Sequence, residues 1–199
     1  AAVADGNTVP ARQVGGPMSM LGNPVDIILT GTTLRVAEKS NDAILVFTNI
    51  FDGPDGDMAP TLATTTSKPE SLAQVMPAMD LMDASDNALT ATTINGIVVS
   101  SNPSAAGPTT GQISRYSAVL SSTLGSFDAG MSIESVTIDA LGDGAVTFDD
   151  IDSAMGGVLI INRLASMRDD DSYTMSQDHM IMGANTGLVT PKGVDVSSA

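Results

Sequence analysis

The chain has 199 residues, enough for one domain that buries a core without a metal or disulfide staple. Its net charge of −15, from 23 acidic residues against eight cations, disfavours nucleic acid and anionic lipid as partners. It has no cysteine, which excludes thiolate metal sites and a cysteine nucleophile, and no apolar run approaches the ~18 residues that span a bilayer.

The acid is almost all Asp, since only Glu38, Glu70 and Glu134 are Glu. Short Asp side chains bond nearby backbone, so this bias points to turns and helix starts. There is no Trp, and two Tyr, four Phe and 12 Met leave a core of aliphatic residues and Met. Residues 1–23 are rich in Gly and Pro and read as an extended arm ahead of a single β-rich domain over 24–199. Strands are expected at Val25–Leu29 and Thr32–Val36, parted by Gly31. The run Ala43–Ile50, bounded by turn residues, is expected to be a buried strand.

Ser67-Lys68-Pro69-Glu70 has the form of a capping box, and Leu72, Val75, Met76 and Met79 follow at helical spacing. A helix is therefore expected over about 68–83, broken near Pro77. Thr90–Ser101 is β-branched and strand-like, with Asn95-Gly96 as a hairpin turn or bulge signal, and 102–111 reads as a loop. Strands are expected over 113–123, over Ile133–Ala140 and over Ala145–Phe148, the last two joined by Gly142-Asp143-Gly144. From Asp149 to Met167 the apolar spacing suits a second helix weakened by Gly156-Gly157. The alternative is a short helix over 149–156 and a buried strand over 157–163. Arg168–Ser172 reads as a solvated loop, and 187–196 as a last strand.

The expected fold is thus mainly β, a β-sandwich or jelly-roll-like barrel with one or two short helices. No repeat of fixed period is visible.

Two acidic segments are candidate cation sites. Asp139 to Asp150 resembles the twelve-residue calcium loop of EF-hands in the form seen in dockerins. Asp139, Asp143, Gly144 and Asp150 match loop positions one, five, six and twelve, and Val146 the apolar position eight. Leu141 departs at position three, which normally supplies an oxygen. The resemblance covers these residues alone and implies calcium held by Asp139, Asp143 and Asp150. The other segment is Asp52-Gly53-Pro54-Asp55-Gly56-Asp57, where three carboxylates could converge on calcium if the loop curls. Each also reads as an ordinary turn. The only histidine, His179, follows Asp178, but neighbours in a strand face opposite ways and could not form a base and its orienting carboxylate. No nucleophile elbow, phosphate loop or dinucleotide fingerprint occurs in the sequence.

These readings point away from an enzyme and toward a structural or assembly protein that meets copies of itself and other shell subunits. A virion component is expected first, a small capsid or capsid-decorating subunit, with the acidity favouring an outward position. An extracellular surface-layer or filament subunit, stabilised by calcium, is the alternative.

Overall fold

The structure is a computed structural model that describes residues 10, 12–53, 55–75, 96–103, 111–150, 155–167 and 179–196, with the backbone alone at Asp150. Among these residues the chain forms twelve strands. They are β1 (Pro24–Thr30), β2 (Thr33–Glu38), β3 (Ala43–Phe47), β4 (Leu62–Thr65), β5 (Pro69–Val75), β6 (Gly96–Ser101), β7 (Gln112–Ser117), β8 (Thr123–Asp128), β9 (Ser132–Ile138), β10 (Gly144–Asp150), β11 (Met155–Ile161) and β12 (His179–Met182). Two short 3-10 turns, Pro17–Ser19 and Leu164–Ser166, accompany them.

The strands make three four-stranded antiparallel sheets, each a meander in chain order: β1 to β4, β5 to β8 and β9 to β12. The mainly β expectation holds. The connectivity within each sheet is up-and-down rather than the Greek key of a jelly roll, and three layers stand where a sandwich has two.

Side-chain alternation shows how the layers stack. In the middle sheet, Leu72, Ile97, Val99 and Tyr116 pack against Ala37, Ile44 and Val46 of the first sheet. Their neighbours Ala73, Val75, Val98 and Ile113 point the other way and pack against Ile133, Val136, Val146, Phe148 and Leu159 of the third. The outer face of the first sheet (Val36, Ala43, Leu45, Phe47) is covered by Val14 and Leu21 of the arm and by Ile50 and Met58 of a loop.

Each sheet opens with the same device. The first strand skips one residue of its ladder at Val25, at Glu70 and at Glu134, inside Pro24-Val25-Asp26-Ile27, Pro69-Glu70-Ser71-Leu72 and Ile133-Glu134-Ser135-Val136. Such bulges twist a strand and re-aim its side chains. The three first strands also meet. Asp26 Oδ2 accepts the Ser71 hydroxyl at 2.7 Å and the Leu72 N–H at 2.8 Å, and β5 packs against β9 in turn. A repeated unit is therefore present, and unequal loop lengths hid it from a search for a fixed period.

Two expected helices are strands. Pro69–Val75 is β5, and residues 76–83 of that expected helix lie outside the described residues. The middle layer is buried on both faces, so its apolar residues run on without alternating and mimic a helix pattern. Pro69 sits at the first residue of the strand, where proline is tolerated. Instead of capping a helix, Lys68 donates its N–H to Asp42, and Glu70 pairs with Lys39. The second expected helix divides into β10, which runs to Asp150, and β11 over Met155–Ile161, closer to the alternative buried strand; 151–154 lie outside the described residues. The strand expected over 113–123 is β7, a turn and the start of β8. The last strand is β12, paired with β11, and residues 187–196 form none. Most of the expected loop 102–111 and all of 168–172 lie outside the described residues, as do 90–95, while the rest of the strand-like segment is β6.

Candidate functional site

The turn at 52–57 is where the arm docks. Asp57 Oδ1 accepts the N–H groups of Met18 at 2.7 Å and Ser19 at 3.1 Å, capping the 3-10 turn. Asp55 Oδ1 accepts the Gln13 N–H at 3.2 Å, and backbone bonds link Gly15 and Gln13 to Gly56. Asp52 bonds through its backbone N–H to Asn49 O. Asp55 and Asp57 thus already serve as anchors for backbone donors of the arm. A surface groove of about 550 Å³ lies beside them, lined by Pro10, Gln13, Gly15, Gly16, Asp55 and Gly56.

A sharper anchor lies on the next strand. Glu38 is fully buried and accepts N–H groups from Gly22, Asn23 and Ser40 at 2.8–2.9 Å. A buried carboxylate is tolerable only with such partners. Glu38, Asp55 and Asp57 together fasten residues 13–23 to the first sheet.

The segment 139–150 does not close into a loop. Asp139 Oδ1 accepts the N–H groups of Leu141 at 2.8 Å and Asp143 at 2.9 Å, a tight Asx turn. Asp143 Oδ1 accepts the Arg163 N–H at 2.6 Å, which fixes the turn after β11. The chain then leaves as β10, so Asp150 stands a whole strand away, roughly 20 Å at the usual rise of ~3.3 Å per residue. The structure brings Asp139 and Asp143 together and holds Asp150 apart, because Val146 and Phe148 are drawn into the core by strand pairing. Among the described residues no group of three or more His, Asp or Glu side chains is placed to share a metal ion.

His179 begins the edge strand β12, opposite Ile160, on the exposed outer face of the third sheet. Asp178 lies outside the described residues.

Two further ionic features sit between layers. Asp42 accepts the Lys68 N–H at 2.9 Å and pairs with its ammonium at 3.1 Å. The backbone bond from Lys68, then its side chain, holds the Asp42 carboxyl below the usual carboxylate range. Arg35 points at the middle sheet beside Ile28 and Val46, and burial lowers its guanidinium pKa from the ordinary value. The Asp26 junction, the Glu38 anchor and the exposed row Val25, Ile27 and Leu29 were not singled out from sequence. The alternation of Val25, Asp26, Ile27, Ile28 and Leu29 carried that signal.

No family model matches the chain, and no curated protein matches it. Among the described residues no helix is long and apolar enough to cross a membrane.

Proposed function

We propose that the chain is a structural protein that works by assembly through its layered sheets. One observation carries this reading: apolar side chains stand in water at both ends of the stack. Val25, Ile27 and Leu29 do so on the first sheet, and Ile181 with Val189 at the third. Contiguous exposed apolar rows mark interaction surfaces. Asp57, Asp139 and Asp143 give it further support, since their side chains are engaged in holding turns and the arm.

Two settings suit such a protein. One is a virion shell, with the acidic chain facing outward, and the other an extracellular surface layer or filament. The meander sheets lend nothing to a jelly-roll capsid core in particular, so the proposal rests at the level of an assembling subunit. Sedimentation of the purified chain across concentration tests it: mass that grows with concentration is expected, and a monomer at every concentration overturns it. Chelation then separates the settings. Disassembly reversed by added calcium favours the surface layer, and indifference to chelation favours the shell.

A further inference from the structure

The inference rests on the assembly reading and names the partner. The unit that opens at Pro24 is the same as those that open at Pro69 and Ile133, down to the bulged residue. In the second unit the residue after the bulge pair, Leu72, is 5% exposed because it packs on the preceding sheet through Ala37, Ile44 and Val46. In the third, Val136 is 3% exposed for the same reason, against Val98 and Ile113. In the first unit the equivalent residue is Ile27, and it is 60% exposed. Leu29, two residues on and on the same side of β1, is 52% exposed. The arm covers the β2 and β3 part of this face and leaves the β1 row open.

The opposite end of the stack also exposes apolar side chains. The segment around Pro191 lies against the outer face of the third sheet, where a Cβ at Gly156 would strike it. Lys192 pairs with Glu134 at 2.8 Å, and Gly156 donates its N–H to Leu188 O at 3.2 Å. Ile181 on that face is 50% exposed, and Val189, whose backbone lies by Gly156, is 55% exposed. The two ends therefore expose apolar side chains on the two sides of a sheet that meet between layers inside the chain.

We propose that the β1 row of Ile27 and Leu29 docks onto the outer side of the third sheet, at Ile181 and Val189, in a second copy of this chain. The contact is head to tail. Such contacts close into rings when the rotation permits and otherwise run on as filaments. Each copy carries a charge of −15, so association strengthens as salt screens the repulsion.

The test uses complementation. Ile27→Asp blocks one end and Ile181→Asp the other, and both positions are exposed enough to spare the fold; far-ultraviolet circular dichroism checks this, with Ile27→Thr as a milder second variant. Sedimentation at high salt is expected to show the wild-type chain associating and each Asp variant weakened about tenfold or more. An equimolar mixture of the two Asp variants is expected to recover dimers and stop there, because one good interface remains. Association that neither variant weakens keeps the assembly reading and overturns this surface. Weakened variants whose mixture stays monomeric overturn the head-to-tail arrangement. A wild-type chain that is monomeric at every salt concentration overturns both readings, and leaves the row to some other occupant.

Discussion

At the scale of single residues, the buried polar groups divide into those that have partners and those that do not. Glu38 has three N–H donors, whereas Thr147 is 1% exposed and its hydroxyl finds no partner. A buried hydroxyl left unpaired costs about 1–3 kcal/mol, and removing it without changing the shape recovers part of that. Thr147→Val is therefore expected to raise the stability to urea by about 1 kcal/mol. An unchanged or lower midpoint would mean that the hydroxyl is satisfied. Asp42 gives a pH prediction. Its folded pKa is depressed below the ordinary 3.8, so its contribution is complete above that unfolded value and is lost as pH falls through the folded one. Asp42→Asn keeps an oxygen for the Lys68 N–H but cannot titrate. The variant is expected to be less stable than the parent at neutral pH, with the gap closing in strong acid. Thermal midpoints from neutral pH down to the acid limit read this directly, and a gap that does not change with pH refutes it.

At the scale of elements, the alternating strands and the short buried run of β3 between turn residues were legible, whereas the doubly buried β5 and β11 were not. Val25, Ile27 and Leu29 alternate with polar or inward residues because β1 lies at an end of the stack. Its position as a strand could be read at once. β5 has apolar or small residues pointing both ways, since Leu72 meets the first sheet and Ala73 the third. A continuous run of that kind does not distinguish strand from helix. Gly156-Gly157 misled in the same way. Read as a weak point in a helix, they are instead where strand β11 is approached from both sides. A Cβ at Gly157 would sit 2.5 Å from Phe148 Cζ and 2.6 Å from Ile181 O, and one at Gly156 would strike Pro191. The candidate site was half legible for a related reason: the Asx turn at Asp139 follows from local sequence, but that Asp150 leaves on a strand follows only from its pairing. Gly157→Val is expected to cost about 1–3 kcal/mol by overpacking against Phe148. Gly156→Val is expected to lift residues 188–191 off the sheet, and hydrogen exchange at the Gly156 amide should rise while that of the middle sheet does not. Equal exchange in parent and variant would place the segment elsewhere.

At the scale of the whole molecule, charge and layering oppose each other. The chain carries 23 acidic and only eight basic residues, and a net −15 repels itself more when folded than when extended. Lys39 with Glu70 joins the first and middle sheets and Lys192 with Glu134 ties the C-terminal segment to the third, and both offset part of that repulsion. Sodium chloride is thus expected to raise the thermal midpoint steadily from low ionic strength, because the Debye length shortens to about 10 Å at 0.1 M. Calcium tests whether anything beyond screening operates. A site built from Asp139, Asp143 and Asp150 is opposed by the length of β10, and Asp57 already accepts two N–H groups. At matched ionic strength calcium is therefore expected to raise the midpoint of the dilute, unassociated chain little more than sodium does. A rise that saturates at low calcium, and that Asp57→Asn or Asp139→Asn abolishes, would restore a cation to one of these turns. Binding to the native state alone would then stabilise it in proportion to the logarithm of the free calcium. Without that saturation, the Asp-rich composition is explained by the turns and anchors that join one layer to the next.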